Sequence, residues 1–156
     1  MKLIKLNFPD YEFSFKSVNK QKYVFDRFRK KYVTLTPEEW VRQNLANYLS
    51  LQKKCPESLL ALEVGLEVNT LKKRCDLLLY DRFGKPLLIA ECKAPNVKIN
   101  QEVFDQISIY NLTLKVPYLI VTNGLQHYFC KIDVNKKEFG FFDVIPEYGL
   151  LINLPE

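Results

Sequence analysis

Two aliphatic runs separated by a turn constrain this chain more than any other feature. Arg74-Cys75-Asp76-Leu77-Leu78-Leu79-Tyr80-Asp81 and Pro86-Leu87-Leu88-Ile89-Ala90-Glu91-Cys92-Lys93 are short, apolar and bounded by polar residues, with Gly84 and Pro86 at the connection. Runs of this kind with turn chemistry between them predict a β-hairpin. Side chains alternate along a strand, so Glu91 and Lys93 share one face and Cys92 takes the other. Antiparallel pairing brings Asp76, at the start of the neighbouring strand, beside Glu91. Two carboxylates and an ammonium thus converge at the polar ends of apolar strands, where charge is costly unless it is paired or used. A hard divalent cation would use them. Magnesium takes carboxylate and carbonyl oxygens, and Asp76, Glu91 and the main-chain carbonyl of Cys92 form a partial shell. Lys93 would face the attacking water or the negative charge developing on a phosphate, and the chemistry is phosphodiester hydrolysis. The competing account of Glu-x-Lys alone is an exposed cross-strand ion pair, contributing about 0–1 kcal/mol.

The chain has 156 residues, 47% of them hydrophobic and 13% aromatic, which predicts one folded domain over 1–156 with its core at about 36–133. The N-terminus lacks an apolar leader region and no run approaches about 18 apolar residues, so a cytoplasmic location without membrane contact is expected. Cys55, Cys75, Cys92 and Cys130 form no Cys-x-x-Cys pair and His127 is the single histidine, which argues against zinc and for free thiols. Cys75 and Cys92 are expected to be core residues pointing away from Asp76, Glu91 and Lys93. His127 is expected to be structural.

The net charge of +5 is compatible with DNA, and its distribution is more informative. From Lys16 to Lys31 seven basic residues face one acid, Asp26, and are interleaved with Tyr23, Phe25 and Phe28. Such a segment can track phosphates and stack on bases, or it can be the solvated face of a half-buried hairpin. Upstream, Phe8 to Phe15 predict a short strand or strap across the core.

Thr36-Pro37-Glu38-Glu39 is a helix start, with Thr36 at the N-cap, proline in the first turn and Glu39 closing a capping box. Val41, Leu45, Tyr48 and Leu49 form its apolar stripe to about Lys53, leaving Glu39, Arg42 and Gln43 for the polar side. Leu59 to Val68 predicts the first core strand, with Gly65 marking a bulge or close approach. Lys72, Lys73 and Arg74 could neutralise phosphates or could be a solvated connection. A second helix runs from Asn100 to about Leu114 on Val103, Ile107, Tyr110 and Leu114. A buried strand follows at Pro117–Thr122, parallel to the Glu-x-Lys strand by a βαβ crossover. Asn123-Gly124 then turns into a hairpin, and Glu138 to Glu156 predicts a terminal strand and tail.

Asp76, the gap to Glu91, and Glu-x-Lys ending a hydrophobic strand resemble the active-site signature of the PD-(D/E)XK nucleases. The stretches Thr36–Gln43, Lys73–Asp81, Glu91–Pro95, Gln106 with Tyr110, and Val121–Gly124 narrow the resemblance to the N-terminal nuclease domain of type I restriction R subunits in its short stand-alone form. The resemblance implies an α/β restriction-endonuclease-like αβββαβ core, a mixed sheet flanked by helices, with additional strands at both ends. It implies a DNA endonuclease using Mg2+, with Mn2+ able to substitute. Asp76, Glu91 and the Cys92 carbonyl would hold the metal, Lys93 would assist, and either Glu39 or Glu63 would be the extra acidic residue. Gln106 would bond a phosphate or a metal-bound water, and Tyr110, four residues on, would orient it or touch the DNA backbone. The implied partners are DNA, a target-recognition or translocase subunit, and a second copy of the chain in a homodimer. No phosphate-cradling Gly-x-x-x-x-Gly-Lys loop occurs, so no ATP site is expected. The alternative from another class is a nuclease-fold module that binds DNA or protein without cutting and needs a partner.

Overall fold

The computed structural model describes residues 2–68, 70–133, 135–136 and 138–153, with the side chains of 68, 71, 110, 112 and 113 left aside. Three short strands come first, β1 (Phe15–Val18), β2 (Gln21–Asp26) and β3 (Lys31–Thr34), paired antiparallel in that order. Asn19 and Lys20 both have positive φ, the backbone that a two-residue hairpin turn of matching twist demands.

Helix α1 (Pro37–Asn47) follows, and Thr36 caps it by accepting the Glu39 N–H at 3.0 Å. Its last stretch, Tyr48–Gln52, widens into a π-helical turn. The six-stranded sheet is then built from β4 (Leu60–Val68), β5 (Leu71–Tyr80), β6 (Pro86–Cys92), β7 (Tyr118–Thr122), β8 (His127–Asp133) and β9 (Glu138–Phe142), in that spatial order. Helix α2 (Gln101–Leu114) makes the crossover between β6 and β7, which run parallel; every other pair is antiparallel. Helix, three strands, helix, strand is the order the sequence predicts. A short α3 (Tyr148–Leu151), absent from the sequence expectation, buries Tyr148 and Leu151 where only a tail was foreseen. Residues 154–156 of that tail lie outside the described residues.

The sheet has a helix on each face. Leu77, Leu79, Leu88 and Ala90 pack with Val41 and Leu45 of α1 and Leu49 of the π-helical turn, whereas Leu78 and Ile89 pack with Val103, Phe104 and Ile107 of α2. Alternation along β5 and β6 sends successive residues to opposite layers, and each leucine so buried contributes about 1.5–3 kcal/mol relative to exposure. Residues 2–14 form the expected strap. Asn7 donates its N–H to Gly124 O at 2.7 Å and its side-chain amide to Leu125 O at 2.6 Å, and Trp40 Nε1 donates to Ile4 O at 3.0 Å. Gly124, at φ +84°, is where the strap comes closest: a Cβ there would lie 2.8 Å from Leu6 Cδ2.

Two expectations need correction. Gly65 is no bulge, since it pairs in register with Arg74. The irregular residue is Glu63, with φ 56° in mid-strand. Leu62 and Leu77 face α1 but their next paired neighbours, Val64 and Cys75, pack under α2, so the alternation of both strands breaks at Glu63 and Asp76. Likewise Cys75 and Cys92 are both buried, but on opposite faces of the sheet rather than together beneath the site.

Candidate active site

The register Leu77↔Ala90 sets Asp76 opposite Glu91, one step beyond the paired ladder of β5 and β6. Asp76 Oδ2 accepts the Cys92 N–H at 2.7 Å, which fixes one carboxylate oxygen against the end of β6. Lys93 N–H donates to Thr122 O at 2.8 Å, extending the parallel pairing with β7, and its ammonium lies 3.2 Å from Glu91 Oε1. The three residues expected to converge do so at one end of the central strands.

Glu91 is 8% exposed. Burial, and then the neighbouring Asp76 charge, push its carboxyl up to about 7, against the pull of Lys93. At Lys93 burial works against the charge, but Glu91 more than offsets it and the pKa lies above its ordinary value. Near neutrality Glu91 therefore changes its charge while Lys93 keeps its own.

The residue that composition and motif missed is Arg42. Its Nη2 is 2.5 Å from Asp76 Oδ1 and 2.9 Å from Glu63 Oε1, and its Nη1 pairs with Glu39. Glu39 also accepts Gln43 Nε2 at 2.9 Å and Arg29 Nη2 at 2.5 Å, and Arg29 pairs in turn with Asp26. Glu39, Arg42 and Gln43 are buried, contrary to the polar side assigned to them. Arg29, carried on the turn between β2 and β3, covers Glu39, while Arg42 is enclosed by Glu39, Glu63 and Asp76 and Gln43 bonds back to Glu39. Burial disfavours the Arg42 charge, but Asp76 and Glu39 more than compensate and its pKa rises. A signal for it was present: Arg42 lies three and seven residues before Leu45 and Leu49, on the buried stripe, where a charge must be paired.

The other expected residues are placed as follows. Glu63 touches Arg42 and also Arg74, at 2.9 Å, so Arg74 is engaged at the site. Glu39 meets Asp76 only through Arg42. Gln106 is exposed on α2 and, among the described residues, makes no hydrogen bond to Asp76, Glu91 or Lys93. The side chain of Tyr110 lies outside the described residues. His127 is structural: Nε2 donates to Asn7 O at 2.9 Å, Nδ1 accepts from Thr122 Oγ1 at 2.7 Å, and burial lowers its pKa, consistent with a neutral ring. Asn123 pins the loop after Lys93 by donating to Val97 O at 2.9 Å.

Asp76, Glu91 and the Cys92 carbonyl are hard oxygen donors of the kind magnesium takes, and a cation there would offset the burial and the Asp76 charge that raise the Glu91 pKa. Among the described residues no three His, Cys, Asp or Glu side chains gather as a metal cluster, so a shell would have two carboxylates and be completed by carbonyl and water. The thiols are chemically quiet, burial holding Cys75 at about 12 and Cys92 well above its ordinary value.

The architecture is the nuclease-like α/β class, and a solved structure shares it. The fragment described as an HsdR subunit of a type I restriction enzyme from Vibrio vulnificus YJ016 matches with a TM-score of 0.55 and 18% identity, over 76% of this chain and 25% of that one. The chain thus spans about a quarter of that fragment. A family model described as the type I restriction enzyme R protein N terminus (HSDR_N) matches residues 37–146, and the chain belongs to that family. No curated protein matches. No described helix is long and apolar enough to cross a membrane.

Proposed function

We propose that this chain is a metal-dependent DNA endonuclease domain of the type I restriction R-subunit kind, using Mg2+ or Mn2+ to hydrolyse phosphodiesters. The observation that carries the reading is the meeting of Asp76, Glu91 and Lys93 where β5 and β6 end, with Glu91 pushed up to about 7. Asp76, Glu91 and the Cys92 carbonyl would hold the metal, which when bound supplies charge neutralisation and an activated water. Lys93 stabilises charge developing on the phosphate, and its ammonium, 3.2 Å from Glu91 Oε1, holds that carboxylate at the end of β6. Gln106, exposed on α2, is available to a phosphate of the substrate, and Tyr110 is proposed to assist it. DNA and other subunits of a restriction system are the proposed partners.

The test is cleavage of supercoiled plasmid in magnesium or manganese by wild type, Asp76→Ala and Lys93→Ala. Metal-dependent nicking or linearisation, reduced by about 10^3-fold or more in both variants, is the expected result. A variant that cuts like wild type removes its residue from the mechanism.

One observation favours a second reading. Both Asp76 oxygens are already engaged, one by Arg42 and one by the Cys92 N–H. A module kept inactive until a partner rearranges Arg42, or one that binds without cutting, would look like this. Calorimetric titration with magnesium separates the two: binding lost in Asp76→Ala means a competent site awaiting a partner, and no binding by wild type means a non-cutting module.

A further inference from the structure

The sheet β1–β2–β3 presents a face that the nuclease reading does not use. The register Lys16↔Tyr23 and Phe25↔Tyr32 places these four side chains on one side, while Val24 and Asp26 point inward and are fully buried. Phe25 and Tyr32 remain 37% and 39% exposed and meet edge to face with ring centroids 5.3 Å apart. Lys16 Nζ sits 4.3 Å from the Tyr32 ring centroid and 5.6 Å from that of Tyr23. Large aromatic faces left in water on a paired sheet are costly, and a cation held over them marks a surface suited to an anionic, aromatic ligand.

Charge supports the same ligand. Asp26 is the one acid between residues 13 and 37, and it faces inward and pairs with Arg29. Lys20 and Lys30, both exposed, occupy the turns at opposite ends of β2 with positive φ, so the aromatic row is flanked by a cation at each end. We infer that the outer face of β1–β3 binds single-stranded nucleic acid, with bases stacked on Tyr23, Phe25 and Tyr32 and phosphates met by Lys16, Lys20 and Lys30. Exposed aromatics on a small sheet suit two or three unpaired bases. A duplex hides its base faces and would meet only the lysines. This binding is independent of metal and of Asp76.

The test is fluorescence anisotropy with a labelled oligothymidylate and the whole chain in EDTA, so that cleavage plays no part. The Tyr23→Ala/Tyr32→Ala double variant should bind at least about 10-fold more weakly, and Tyr32→Phe, which keeps the ring, should stay within about twofold of wild type. An abasic oligomer of equal length should bind wild type as weakly as oligothymidylate binds the double variant. Should the double variant fail to melt cooperatively, Lys16→Glu, at an exposed position, replaces it and should lower affinity about 10-fold. Asp76→Ala should bind like wild type whether or not it cuts, so loss of cleavage and loss of this site are read separately. Oligouridylate distinguishes RNA from DNA, tight binding of either strand supporting the site. Equal affinity for abasic and base-bearing strands, preference for duplex, or a folded double variant binding like wild type would overturn it.

Discussion

Around Arg42 each carboxylate has a cation against it and little water, whereas on the outer face of β1–β3 lysines stand in solvent beside aromatic rings with no acid among them. Both regions draw on the same basic segment, since Arg29 closes the first while Lys16, Lys20 and Lys30 furnish the second. Buried charges must be answered from within the fold, because desolvation outweighs an unpaired Coulomb gain; exposed ones can wait for a ligand. Density of charge along a sequence is therefore a poor guide to binding until it is known which members are already spoken for.

The contrast can be broken most sharply at Asp76, where alanine should reduce plasmid cleavage by about 10^3-fold or more while urea unfolding remains cooperative. Next is Arg42→Met, which keeps the hydrophobic stem and leaves Glu39, Glu63 and Asp76 facing one another. It should lower stability by about 3–5 kcal/mol in urea melts, and a loss under 1 kcal/mol would mean that the cluster is not the buried network described. Third is pH. Glu91 has a pKa of about 7 in the fold against an ordinary value of 4.5, so folding disfavours its charged form. Its contribution is fully present below about pH 4.5 and is lost as pH rises through 7, to the extent of about 3 kcal/mol at most. In EDTA, wild type should therefore lose stability relative to Glu91→Gln between pH 5 and about 8, and a difference that is flat with pH would refute the shift. The smallest effect belongs to the exposed pair Lys54 and Glu147, 2.9 Å apart. Lys54→Gln should change stability by less than about 1 kcal/mol and set the scale for Arg42.

The hairpin, the crossover and the α1 cap were legible because each is a local pattern: apolar runs around Gly84 and Pro86, alternation ending in Glu91 and Lys93, Thr36 before Pro37. The register that sets Asp76 opposite Glu91 followed from the same pattern. What stayed hidden depends on distance along the chain or on backbone that residue type does not announce. Arg42 finds Asp76 34 residues away, and Arg29 reaches Glu39 across ten. Glu63 takes a φ of 56° although glutamate rarely does so, and the break in alternation that sends Cys75 to the far face comes with it. Gly65, the residue that looked permissive, sits in ordinary pairing.

The strap of residues 2–14 has a consequence for the order of assembly. Its anchors are Gly124, Leu125 and His127, reached across sequence separations as large as 118 and 120 residues, and these carbonyls and ring atoms exist as a surface only once β7 and β8 have paired. Contacts of such span are slow to close because the intervening chain must first lose its freedom. The strap is thus among the last segments to find its place, and until it does the turn at Gly124 and the side of Trp40 lie open to other chains.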